Sequence, residues 1–285
     1  MMHSYIPQTR GADRLNITRK IAVSKELAEN PRYDVYGFHS EILPNDRDIS
    51  VYLPPQYSYD EFKTRRFPVF YLHDGQNLFD NLTSYVPGHT WKANTTSDEL
   101  ALANKIEPVI LVGVANTGLR RMAEYTPTRD LKMGGGEGHS YGRLLSEELK
   151  PFIDQTYRTL PDPANTALGG SSLGGLISLF LGLENPTIWG KLAVMSPSLW
   201  WDHRSIFEVL PLKSPQPEIK IWLDMGTAEG LRHMRDASLL FSRMIKAGWR
   251  PRIDLRYTIA EGAVHNEDAW AERFGEVLKF LFPTK

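Results

Sequence analysis

The chain of 285 residues contains no cysteine. That excludes disulfides, thiolate metal sites and a cysteine nucleophile, and it leaves the redox compartment open. Charge of one sign is missing too: 33 Lys and Arg stand against 34 Asp and Glu, a net charge of −1 with pI near 6.7. So weak a field does not attract a polyanion, and a nucleic-acid partner is not expected. Long apolar runs are also absent. No segment offers the ~20 apolar residues that a spanning helix requires, and Met1 to Pro7 leads into polar residues rather than the apolar centre of a signal peptide. The expectation is a cytoplasmic protein with no membrane partner. Hydrophobic residues at 41% and charged residues at 24% then suit an ordinary full-sized core. No internal repeat and no linker breaks the chain. One α/β domain over residues 31–285, preceded by a polar arm over residues 1–30 without clear period, is the expected organisation.

Short apolar runs alternate with helical patterns along that domain. Tyr36 to Leu43 and Ile49 to Leu53 read as an opening antiparallel pair. Phe67 to His73, Val109 to Val114, Asn165 to Gly169, Leu192 to Met195, Ile219 to Leu223 and Ile253 to Ile259 read as further strands, several of them apolar enough to be buried on both faces. Between them, Tyr141 to Gln155, Leu231 to Lys246 and Asp268 to Phe282 carry amphipathic stripes, while Leu173 to Leu183 is small and apolar throughout. Two opening strands followed by βα units imply a mostly parallel central sheet with helices on both faces.

The most informative stretch is Gly170-Ser171-Ser172-Leu173-Gly174, a Gly-x-Ser-x-Gly between a strand and a helix-forming run. A serine on so sharp a turn exposes its hydroxyl above the sheet, and side chains two positions away on either flank would clash across the bend. Ser172 is the candidate nucleophile. A serine hydroxyl is a poor nucleophile until a hydrogen-bonded base can take its proton. In chain order, the acid and the histidine belong after later strands, at the edge where parallel sheets place their ligands. The strand ending at Leu223 runs into Asp224-Met225-Gly226-Thr227-Ala228-Glu229, and the one ending near Ile259 runs into Gly262-Ala263-Val264-His265. His265 is the candidate base. Glu229 is the preferred acid, with Asp224 and Asp236 as alternatives; Glu229 could instead serve only the dipole of the helix that follows it.

Acyl transfer also needs donors aimed at the developing oxyanion. One is the backbone N–H after the nucleophile, that of Leu173. The other is expected after an early strand, where His73-Asp74-Gly75-Gln76-Asn77-Leu78-Phe79-Asp80 puts a glycine at the bend and the Gln76 N–H beside it. His73, Asp74, His89 and His139 match no ligand spacing, so no metal is expected, and nothing calls for a cofactor.

Taken together, Asp74 to Asp80, Arg121-Met122-Ala123-Glu124-Tyr125-Thr126-Pro127, Gly170 to Gly174, Ser196-Pro197-Ser198-Leu199-Trp200-Trp201 and Gly262 to His265 resemble the putative-esterase family of α/β-hydrolases over roughly Tyr36 to Phe282. That group includes esterase D-like thioesterases, enterochelin esterase-like enzymes, feruloyl and acetylxylan esterases, and mycolyltransferases. The resemblance implies the α/β-hydrolase fold and an acyl-enzyme on Ser172. It also implies His265 as base, Glu229 in a Gly-x-x-Glu pattern as acid, and Gln76 and Leu173 as oxyanion donors.

Substrate signals are fewer. The interval from Ser196 to Ile219 is no longer than an ordinary crossover, so no large cap domain is expected and the site should be open. Trp200 and Trp201 could stack on an aromatic acyl group or a sugar. Arg121 could hold an anionic group, or form a structural ion pair with Glu124. The expected partner is a small-molecule or oligosaccharide ester, acetyl or feruloyl for preference. A siderophore ester or an S-acylglutathione is the alternative within hydrolases, a peptide bond would use the same machinery, and a fold that has lost its chemistry would make a binding protein.

Overall fold

The computed structural model describes residues 16–210, 212 and 219–284. Eleven strands are present among them. Nine form one sheet: β1 (Ile17–Lys20), β2 (Tyr33–Ser40), β3 (Asn45–Tyr52), β4 (Val69–His73), β5 (Ile110–Val114), β8 (Thr166–Ser171), β9 (Lys191–Met195), β10 (Lys220–Gly226) and β11 (Leu255–Ala260), in the spatial order β1-β2-β3-β5-β4-β8-β9-β10-β11. The other two, β6 (Arg129–Asp130) and β7 (Gly134–Gly135), make a small hairpin on the loop after β5. β1, β2 and β3 are antiparallel, and β3 joins β5 antiparallel; from β5 across to β11 every pairing is parallel.

The alternation along each strand explains the two cores. Val69, Tyr71, Ile110 and Val112 face a layer built on the helices Gly138–Arg143, Lys150–Thr156, Leu173–Glu184 and Leu231–Lys246. Phe70, Leu72 and Leu111 face the opposite layer, where Trp91 and Ala93 meet Phe274, Val277 and Leu278 of the helix Glu267–Leu281. Because both faces are covered, Val69–His73 and Ile110–Val114 are buried at every position, as their unbroken apolar sequences require. Leu173–Glu184 is buried over its first eleven residues, which is why it shows no polar stripe.

Three features depart from the sequence reading. Residues 1–15 of the expected arm lie outside the described residues, but the rest of it is structured: Ile17–Lys20 pairs with β2, Ile17 opposite Phe38, and Lys25–Ala28 is a short helix. The strand's pattern is nearly all exposed, so hydrophobic periodicity could not reveal it. The helix Ala93–Leu102 also has no counterpart in the reading; rich in Asn, Thr and Ser, it is held by contacts with Glu267–Leu281 rather than by propensity. Finally, Tyr141 to Gln155 is part of a longer helical run from Gly138 to Thr156 whose middle, Leu144–Leu149, widens to π geometry just before Pro151.

The order of the sheet positions the site. β4 lies between β5, formed after it, and β8, from which the chain proceeds to the other side. The strand order reverses there, so the loops following β4 and β8 flank an open crevice at the C-terminal edge. Among the described residues no cap domain is evident, and no helix is long and apolar enough to cross a membrane.

Candidate active site

β8 ends at Ser171, and Ser172 follows with φ 59° and ψ −123°, a conformation that a non-glycine residue adopts only under constraint. The constraint is visible on both sides. The Ser172 N–H donates to Met195 O of the next strand at 3.0 Å, and Leu176 N closes the first turn of the helix onto Ser172 O at 3.1 Å. A Cβ on Gly170 would come within 3.1 Å of His73 Cβ and 3.2 Å of the Gly174 backbone, and one on Gly174 within 3.2 Å of His73 Cβ. The two glycines let the elbow close over β4.

The turn after β10 and the loop after β11 bring two more groups to the same edge. His265 Nε2 lies 2.9 Å from Ser172 Oγ, and Nδ1 lies 2.6 Å from Glu229 Oε2. The Glu229 side chain is 3% exposed and that of His265 43% exposed, so a buried carboxylate faces an imidazole open to the cleft. Burial alone would raise the Glu229 pKa. Hydrogen bonds from His265, from the Ser196 hydroxyl (2.6 Å) and from the Gly226 N–H (2.9 Å) outweigh it, so the carboxyl is held below its ordinary value. Neither alternative acid reaches the imidazole. Asp224 is fully buried on Arg273, Trp222 and Ser196, its pKa raised by burial that those partners only partly offset. Asp236 pairs with Arg204 at 2.9 Å.

Gln76 sits in the turn Gly75–Asn77 and Leu173 opens the helix Leu173–Glu184, on loops that leave neighbouring strands. Neither backbone N–H donates to another described residue. The Gln76 turn is anchored from behind: Asp74, at φ 56°, receives Arg121 Nε and Nη2 at 2.7 Å each and Asn116 Nδ2 at 2.7 Å, while the Asn116 N–H donates to Gln76 Oε1. Burial works against the Arg121 charge, but Asp74 more than offsets it and the guanidinium pKa is raised. Arg121 thus binds Asp74, not Glu124. Glu124 is instead buried against Arg47 at 3.0 Å, with Asn45 and Thr117 donating to the same oxygen.

A cavity of about 470 Å³ beside Ser172 is lined by Pro197, Ser198, Trp200, Arg232 and His233 together with Ser196, Glu229 and His265. Trp200 therefore faces it. Trp201 does not: it is 1% exposed, its Nε1 donates to Thr128 O at 2.9 Å, and the β6–β7 hairpin packs on it so closely that a Cβ on Gly135 (φ +90°) would lie 2.6 Å from its ring. Sequence reasoning passed over Ser198, whose Oγ lies 3.2 Å from Ser172 Oγ, and Arg232 and His233, which follow Glu229 by three and four residues. Only the Ser196–Trp201 run hinted at the first. A larger hollow of about 740 Å³ at the opposite edge, near Arg66, Lys220 and Phe282, brings no base to a nucleophile. His73, Asp74, His89 and His139 are dispersed onto Tyr141, Arg121, Asp268 and Glu184 respectively, and no three His, Asp or Glu converge as metal ligands among the described residues.

Known proteins share this architecture. The chain is 26% identical over 259 residues to the uncharacterized protein YbbA of Bacillus subtilis, covering 86% of this chain and 96% of that one. It is 27% identical to the endo-1,4-beta-xylanase/feruloyl esterase of Xylanibacter ruminicola, over 98% of this chain and 36% of that protein. The crystal structure of the enterobactin esterase FES from Shigella flexneri, with 2,3-di-hydroxy-N-benzoyl-glycine, superposes with a TM-score of 0.67 at 20% identity, covering 89% of this chain and 59% of that one. Residues 40–281 match the family described as Putative esterase, and the chain belongs to that family of ester hydrolases.

Proposed function

We propose that this protein is a serine carboxylic-ester hydrolase that works through an acyl-enzyme on Ser172, with residues 31–285 as its catalytic domain and the strand at Ile17–Lys20 attached to the edge. The observation that carries the reading is the continuous chain Ser172 Oγ–His265–Glu229, with contacts of 2.9 and 2.6 Å, at the C-terminal edge of a parallel sheet. His265 Nε2 takes the serine proton as Oγ attacks the ester carbonyl, and the carbonyl π electrons move onto oxygen. The amides of Leu173 and Gln76 receive that oxyanion. When the C–O bond breaks, His265 returns its proton to the leaving alkoxide, and water attacks the acyl-enzyme by the same relay. Glu229 keeps the Nδ1–H tautomer and balances the imidazolium charge.

An open cleft with Trp200 on its wall supports a bulky ester, and we read a carbohydrate-linked acetyl or feruloyl ester as the preferred substrate class. The match of nearly the whole chain to 36% of an endo-1,4-beta-xylanase/feruloyl esterase supports the same reading. Arg232 and His233 at the cavity favour a second one, an acidic aryl ester of siderophore type; Arg232 forms no ion pair with another described residue. Intact-mass spectrometry after a fluorophosphonate tests the mechanism, with Ser172→Ala in parallel. One adduct on the wild type alone is the expected result. An unlabelled, folded wild type would leave a hydrolase-like binding protein. Feruloyl and acetyl saccharides set against catecholoyl-serine esters then separate the two substrate classes.

A further inference from the structure

Behind Glu229 lies a buried polar assembly that the relay itself does not use. Ser196 follows the last residue of β9 with φ 41°, in the left-handed region where glycine would cost least. Its N–H donates to the main-chain oxygen and to Oδ1 of Asp224, at 3.1 Å each. Its hydroxyl has three neighbours: Glu229 Oε1 at 2.6 Å, Arg273 Nη2 at 2.9 Å and Trp270 Nε1 at 3.1 Å.

The donor inventory settles which way the proton points. Arginine and indole nitrogens can only donate, so they occupy the acceptor lone pairs of Ser196 Oγ, and its single proton is left for Glu229. Oε1 of Glu229 also receives the Gly226 N–H, so turning the carboxylate would break two hydrogen bonds. Oε2 is thereby presented to His265 Nδ1. Arg273 is fixed in turn, since Nη1 donates to Ala269 O at 2.9 Å and Nη2 is shared with Asp224 Oδ1 at 3.0 Å. Trp270 serves twice, bonding Ser196 and packing edge-on against the His265 ring with centroids 4.9 Å apart. A purely structural Asp224–Arg273 pair would not require a hydroxyl at a position that favours glycine.

We infer that Ser196 and Arg273 are positioning residues for Glu229: Arg273, held by Asp224, orients the Ser196 hydroxyl, and that hydroxyl fixes the carboxylate that aligns His265. The inference rests on the serine-hydrolase reading above and adds the device that sets the acid. Ser196→Ala removes the donor. A hydrogen bond donated to a charged carboxylate contributes roughly 10- to 100-fold when its free energy is read as a rate.

The experiment is steady-state hydrolysis of p-nitrophenyl acetate by the wild type, Ser172→Ala, Ser196→Ala and the double variant Asp224→Asn/Arg273→Met, in which no buried charge is left unpaired. We expect kcat to fall roughly 10- to 100-fold in Ser196→Ala and in the double variant, with KM changed less than about twofold. Ser172→Ala should be inactive. A wild-type kcat in Ser196→Ala alongside an inactive Ser172→Ala would overturn the inference and leave the serine mechanism standing; turnover by Ser172→Ala would sink that mechanism itself. A wild-type kcat in the double variant removes Arg273 from the assignment. Should Ser196→Ala fail to fold, Ser196→Gly, relieved at that φ, takes its place with the same two outcomes.

Discussion

Replacing Glu229 by glutamine should damage catalysis more than replacing it by alanine. Oε1 accepts from two donors, Ser196 Oγ–H and Gly226 N–H, while Oε2 accepts from one, His265 Nδ1–H. A glutamine amide has only one accepting end. Turning its oxygen to the pair keeps two hydrogen bonds and aims the NH2 at Nδ1, which must then give up its proton. The imidazole is left with its proton on Nε2, facing Ser172 Oγ, and cannot act as base. The opposite orientation sets an NH2 against two donors and loses about 3 kcal/mol, counting each bond at roughly 1.5 kcal/mol. At 1.4 kcal/mol per decade, the competent tautomer is reduced roughly a hundredfold. Loss of the anion that balances the imidazolium adds about another tenfold, for a fall in kcat on the order of a thousandfold. Glu229→Ala loses the anion but leaves His265 free to choose its tautomer, so it should retain about a hundred times more activity than Glu229→Gln. Ester hydrolysis gives the rates, and 15N-detected imidazole resonances give the tautomer. A Glu229→Gln enzyme as active as Glu229→Ala, or still carrying its proton on Nδ1, would refute the reasoning.

Arg121→Met should lower kcat about tenfold with little change in KM, because the Asp74 clamp fixes the turn that carries the Gln76 amide and oxyanion donors contribute to the transition state alone; unchanged kcat would detach the clamp from catalysis. His73 should make the fold acid-sensitive. Burial, opposed by Asp74 and reinforced by Arg121 and Arg47, lowers its pKa from 6.5 to about 3, so the ring is neutral in the folded chain. Between those values the unfolded chain binds a proton that the folded one refuses, and stability falls as pH drops below 6.5. From pH 6.5 to 5.0 the contribution lost is about 2 kcal/mol, at about 1.4 kcal/mol per unit. Urea midpoints for the wild type and His73→Gln at both pH values should differ in slope by about that amount, and equal slopes would show that another group carries the effect.

Local rules made much of this protein legible in its sequence. Burial on both faces turns the inner strands into unbroken apolar runs, so Val69–His73 and Ile110–Val114 announce themselves. The elbow is legible because its sterics are local: Gly170 and Gly174 lie two residues from Ser172 and face the same side chain of β4. The amphipathic helix Leu231–Lys246 was readable to the residue for a similar reason, since a periodic face needs no distant information. Elements that depend on a neighbour were not. β1 exists by pairing with β2, and Ala93–Leu102 by packing on Glu267–Leu281.

At the site the division is the same. The order of the proposed nucleophile, acid and base, Ser172, Glu229 and His265, was readable in the sequence, because chain order and strand ends are one-dimensional facts. Only the tertiary structure could decide which carboxylate faces His265, since Asp224, Glu229 and Asp236 lie within a dozen residues and differ solely in direction. Asp224 turns inward to Arg273, Asp236 to Arg204, and Glu229 to the imidazole. The same holds for Arg121, which lies three residues from Glu124 yet binds Asp74, and for Trp201, which the hairpin draws into the core while Trp200 stays at the cavity. A side chain's partner is chosen among groups far apart in sequence by the burial of charge and the count of donors and acceptors. Those quantities come into being when the sheet closes.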